Sequence, residues 1–176
     1  MNDPHNNEMP RPVKAKALAE APYEITADTE ERAALAMRFA VNEIAELSAS
    51  VILAPKGDAV VADGTLTARW TQACAVSGEE LPMTTQEPFV VRFVPADPQR
   101  YAPDEEVDLT ADDCDEIEYT GGTFDLGEAV AQSFGLAIDP YATGANAEEA
   151  RKRAGLQTEG EEDGLLAELL AGLKTD

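Results

Sequence analysis

An α+β fold follows from three observations on this 176-residue chain. Two segments carry helix-capping residues followed by apolar residues at spacings of three and four. Between them, apolar and polar residues alternate over several runs. Turn-forming pairs such as Lys56-Gly57 and Asp63-Gly64 punctuate those runs. The expected architecture is an antiparallel β-meander of about five to six strands packed with two to three helices, with an acidic loop and a C-terminal tail. Residues 1–10 are expected to be disordered, 11–143 to form a single domain, and 144–176 to form an acidic tail.

Val13 to Leu18 alternates apolar and basic, as an exposed strand would, and Tyr23 to Thr26 suits a second short strand. Asp28 then caps a helix, with Glu31 as its capping-box partner. The run TEERAALAMRFAVNEIAEL continues it, as one helix or as two with a break near Phe39 to Val41. Leu35, Phe39, Ala40, Ile44 and Leu47 form its apolar face. Val51 to Ala54 and Ala59 to Ala62 read as strands around a Pro55–Asp58 turn, with a turn or bulge at Asp63-Gly64. Thr65 to Cys74 is the clearest strand, with Leu66, Ala68 and Trp70 on one face. Ser77 to Pro82 is expected to be a loop. Phe89 to Val94 is another strand, and the flanking Pro88 and Pro95 suggest an edge position. Ile117 and Tyr119 suit a brief pairing with a sheet edge. Asp125 caps a second helix with Glu128 as box partner; Leu126, Val130 and Phe134 lie on its face and Pro140 closes it. Leu165 to Leu173 suits a short amphipathic helix.

Charge narrows the function. The formal net charge is −22, and residues 101–143 carry twelve acids and no base. Nine of the fifteen residues from Asp104 to Glu118 are acidic, which suits a solvated loop or a docking surface. Gripping a phosphate backbone takes clustered Lys and Arg, so direct RNA contact is disfavoured and a basic protein partner is favoured. No apolar segment of membrane-spanning length and no apolar leader is present, which predicts a cytoplasmic protein.

The chemistry-bearing residues are few. His5 is the single histidine and lies in the polar start, which leaves no positioned imidazole for a Ser-His-Asp or Cys-His mechanism. LTADDCDEIE lacks the central glycine of a calcium loop. No phosphate-cradling glycine loop occurs. Cys74 and Cys114 form no disulfide framework, and Cys74 reads as an inert buried thiol at a strand end. Trp70, Phe89 and Phe93 read as core aromatics. Arg69 and Arg92 read either as a small basic patch or as cross-strand partners of acids. No catalytic residue, cofactor, metal or small-molecule substrate is expected.

Five segments taken in order resemble the YceD family, bacterial proteins associated with accumulation of large-subunit ribosomal RNA. They are RPVKAKAL, ERAALAMRFAVNEIAEL, GTLTARWTQACAVSGEEL, EPFVVRFVP and GTFDLGEAVAQSFGLAIDPYA. The resemblance runs from about Arg11 to Tyr141, is of the alphaproteobacterial type, and echoes weakly in the C-terminal leucines. Many members carry C-x-x-C where this chain has Cys74 followed by Ala75, Val76 and Ser77, so a metal role carried over from them is in doubt. The resemblance implies non-enzymatic support of 23S rRNA accumulation and large-subunit formation, with a ribosomal protein or assembly factor as partner. The alternative is an acidic inhibitor that mimics nucleic acid in a basic cleft. The candidate partner surface comprises Arg69 and Arg92, the loop residues Cys74, Ser77, Glu79 and Glu80, the helix start Asp125, Gly127 and Glu128, and Asp139, Pro140 and Tyr141.

Overall fold

The computed structural model describes residues 7–96 and 115–155. Strands β1 (Pro12–Lys14) and β2 (Tyr23–Thr26) precede helix α1 (Thr29–Arg38). Three long strands follow: β3 (Glu43–Lys56), β4 (Ala59–Ala73) and β5 (Glu80–Pro95). Then come β6 (Asp115–Tyr119), β7 (Thr123–Asp125), α2 (Leu126–Ala137) and α3 (Ala147–Arg153). The class is α+β, as the alternation of periods predicts. The chain divides into two compact units. Among the described residues, one comprises 7–72 with 82–139, and the other 73–81 with 140–155.

The first unit holds a five-stranded sheet in the order β2-β3-β4-β5-β6. β2 to β4 pair antiparallel, but β6 joins β5 in parallel, so the sheet is mixed rather than a plain meander. A parallel neighbour needs a long crossover, and residues 96–114 provide the length. β5 is therefore not an edge strand. Pro88 lies inside it, in the stretch that β6 does not reach, because β6 pairs only with Val91 to Pro95. A separate two-stranded sheet pairs β1 with β7. The predicted strand from Val13 to Leu18 is thus shorter and begins one residue earlier.

The helix expected to run to Leu47 stops at Arg38, and Glu43 to Leu47 opens β3. Two features hid this. Ala40 adopts φ 54° where helices commonly end on glycine, and the Val41 N–H reaches back to the Ala36 carbonyl at 3.1 Å. A register shift then falls between Ile44 and Glu46. Ala45 is the extra residue, so Ile44 and Leu47 share the buried face at a spacing of three. That spacing imitates a helix. Asp63-Gly64 is no turn either: β4 runs straight through it, and the missing side chain makes room for the Phe89 ring. The turn between β3 and β4 is the two-residue Gly57-Asp58, with Gly57 at φ 64°.

The core gathers apolar residues of every strand but β6 and of α1 and α2. Phe134 of α2 meets Trp70 edge-on at 5.4 Å and Phe39 at 5.6 Å. Phe93 stacks on Phe124 at 4.1 Å. Gln72 is the one buried polar side chain among the described residues, and it is satisfied at both ends. Its Oε1 accepts the Trp70 Nε1–H at 2.8 Å, and its Nε2 donates to the Asp139 carbonyl at 2.6 Å. Residues 1–10 are not all outside the fold. Met9 is fully buried in the core, and its carbonyl lies where a Cβ on Gly127 would sit. Asp97 to Cys114 and the predicted leucine-rich helix lie outside the described residues.

Two substitutions test this packing. Ala40→Gly should raise stability by about 1 kcal/mol by removing the left-handed strain, seen as a higher Tm. Gly127→Ala should lower it by about 2–3 kcal/mol, because the added carbon would fall 1.8 Å from the Met9 oxygen. Chemical denaturation of both variants checks the pair.

Candidate functional site: a thiol-holding turn and a helix start

The sequence-predicted residues fall into three groups. Cys74, Ser77 and Glu79 lie together in the second unit, in the turn that links β4 to β5; Glu80 opens β5. The turn is closed by the Cys74 N–H donating to the Glu79 carbonyl at 2.7 Å, and the Gly78 N–H to the Cys74 carbonyl at 3.0 Å. The Cys74 sulfur accepts the Ser77 N–H at 3.3 Å and the Gly144 N–H at 3.4 Å. Glu79 clamps Asn146: one carboxylate oxygen accepts its backbone N–H at 3.0 Å and the other its side-chain amide. Gly144 fits because a Cβ there would strike the Glu79 carboxylate. The Ala75 N–H donates to the Ala142 carbonyl at 3.0 Å.

Cys74 is only 3% accessible but stands apart from the hydrophobic core, covered by its own turn. Hydrogen bonding from the Ser77 side chain, then from the Ser77 and Gly144 N–H groups, brings the thiol down to about 6; desolvation opposes this. The expectation of an inert thiol is therefore corrected: Cys74 is held as a thiolate at neutral pH. A structural zinc site needs four ligands, usually thiolates and imidazoles. This turn offers one thiolate, with serine at the second position of the C-x-x-C pattern and Glu79 engaged with Asn146. Those residues do not fit such a metal.

The second group lies at the start of α2, in the first unit. Asp125 Oδ1 accepts the Gly127 N–H at 2.9 Å, the Glu128 N–H at 3.3 Å and the Arg11 N–H at 2.9 Å. Glu128 does not complete a capping box, unlike Glu31 on α1. Its carboxylate instead takes a bidentate pair from Arg38, at 2.6 and 2.9 Å, which holds it below the usual carboxylate range. Glu8 joins Arg38 at 2.9 Å.

The third group comes apart. Arg69 pairs with Glu46 at 2.7 Å, and Arg92 with Glu116 at 2.6 Å. Both are cross-strand pairs in direct register, so the alternative of internal pairing holds for each. Asp139 contributes its carbonyl to Gln72, while Tyr141 is 81% exposed just beyond Pro140. Sequence reasoning missed Gly144 and Asn146. They lie about seventy residues from the turn they complete, and no local pattern announces them.

The fold and the turn define a small α+β protein with a mixed sheet and a sheltered thiolate between two long strands. Within that class, the chain belongs to the YceD family: the family model described as large ribosomal RNA subunit accumulation protein YceD matches residues 62–168, more than half of the chain. The match starts within β4 and takes in the turn, α2 and α3. RPVKAKAL and ERAALAMRFAVNEIAEL, which contribute to the resemblance, lie ahead of it. Comparisons with characterised proteins and with solved structures gave no match.

The thiolate gives a pH signature. Its folded value lies below the roughly 8.5 of a free thiol, so folding favours the deprotonated form. The stabilisation it contributes is complete above about pH 8.5 and is lost as pH falls through 6. In a Cys114→Ser background, thiolate ultraviolet absorbance should titrate near pH 6, and Ser77→Ala should move the midpoint upward. A midpoint at the free-thiol value in both chains would refute the assignment.

Proposed function

We propose that this chain supports accumulation of large-subunit ribosomal RNA as a non-enzymatic factor acting through a basic protein partner, such as a ribosomal or assembly protein. The family match carries the reading, since its description names large-subunit RNA accumulation. Charge supports the mode of action. Arg11, Arg38, Arg69, Arg92, Arg151 and Arg153 are each ion-paired to a glutamate of the same chain. Their cations are neutralised locally, and the excess of acids faces outward as a field of −22. Such a field attracts a basic protein and repels bare RNA. No helix among the described residues is long and apolar enough to cross a membrane.

The test is the ratio of 23S to 16S rRNA in depleted cells at matched growth rate. The ratio should fall, and the intact gene should restore it. An unchanged ratio with confirmed depletion would remove this reading and turn attention to the alternative of an acidic protein occupying a basic cleft. A parallel capture at low salt should recover a basic ribosomal or assembly protein, and the yield should fall as the ionic strength passes about 0.15 M, where screening reaches only about 8 Å.

A further inference from the structure

The first unit contains a cleft of about 690 Å³, well within the range of small-molecule sites. It lies away from the helix start described above. Lys16, Lys56 and Arg92 line it, with Val94, Pro55 and Tyr119 as its apolar part. Three cations in one cleft run against the character of a chain with only 13 basic residues and a charge of −22. Among its lining residues the only acid is Asp58.

These cations are not neutralised in the way the other arginines are. Lys16 and Lys56 are exposed, and neither makes an ion pair. Arg92 gives one terminal nitrogen to Glu116, but its Nε is buried and has no hydrogen-bond partner. A buried donor of this kind is rare in folded proteins and calls for an acceptor. A guanidinium N–H beside two free ammonium groups suits the oxygens of a phosphate. The apolar lining suits a flat, uncharged body attached to it.

We propose that this cleft binds a small phosphate ester with a planar apolar body, of the nucleoside monophosphate class. The size of the ligand follows from electrostatics. Repulsion by the −22 field grows with the charge the ligand brings, so an extended polyanion is rejected. A compact dianion meets that same field only weakly and gains three short-range contacts within a screening length. This site is independent of the role in RNA accumulation, and it departs from the expectation that the chain takes no small molecule.

The experiment is calorimetric titration of the full chain with adenosine 5′-monophosphate at low salt, repeated with adenosine, inorganic phosphate and a single-stranded RNA oligonucleotide. Saturable monophosphate binding is expected, at least tenfold tighter than adenosine or phosphate alone. Lys16→Ala and Lys56→Ala are surface changes that leave the fold intact, and each should weaken binding by about tenfold. Arg92→Gln should weaken it further, with circular dichroism confirming the fold. Absence of saturation up to about 5 mM, or binding unaffected by both lysine changes, would overturn the proposal. So would inorganic phosphate matching the monophosphate, or the oligonucleotide binding more tightly than it.

Discussion

One carboxylate oxygen organises the first unit. Asp125 Oδ1 receives N–H groups from Gly127 and Glu128, which starts α2, and from Arg11, which fixes the approach to β1. Sheltered hydrogen bonds to a charged acceptor contribute about 1.5–3 kcal/mol each. The geometry that follows has little freedom. With α2 started at Leu126, Phe134 falls between Trp70 and Phe39, and Glu128 points at Arg38. With Arg11 held at its backbone, its side chain reaches Glu31 through two hydrogen bonds at 2.7 and 2.9 Å, and so reaches α1. Met9 then lies over Gly127, the one residue type whose missing side chain leaves space for it. A capping residue is usually a local device; here it also sets the position of a strand and, through Arg11, of a second helix.

Much of this was legible in the sequence where short-range chemistry decides. Asp28 with Glu31 signalled the start of α1, and Asp125 that of α2, because an N-cap side chain acts on amides two and three residues away. The alternation through Leu66, Ala68 and Trp70 marked β4. What failed was set by distance or by an irregularity. Ala45 shifts the register by one residue and turns a strand pattern into a helix pattern. Ala40 ends α1 in a conformation that its identity does not advertise. The parallel placement of β6 depends on a partner strand more than twenty residues away. The candidate residues of the turn were legible through Cys74 and Ser77, yet the groups that complete it, Gly144 and Asn146, come from far along the chain.

The charge of the molecule is handled by position rather than by number. An acidic excess of this size works against compactness through self-repulsion. In the described residues the acids that approach one another do so around an arginine: Glu8 and Glu128 around Arg38, Glu31 and Asp125 around Arg11. Exposed ion pairs contribute little individually. Their effect here is to let carboxylates share a region that would otherwise be costly. The same economy of cations explains why the uncommitted ammonium groups of Lys16 and Lys56 stand out.

The bond from Arg11 to Asp125 spans 114 residues. A chain emerging from a ribosome presents its N-terminus first and α2 near the end. Until Asp125 is made, the Arg11 amide, the Met9 side chain and the β1 edge lack the groups that receive them. The three long strands can pair earlier, since β3 and β4 are joined by a two-residue turn. The N-terminal segment must wait. Newborn copies therefore pass through a stage with a formed sheet, an uncovered apolar face and a loose leading end. The tight Gly127 contact closes that stage only after more than two thirds of the polypeptide has been translated.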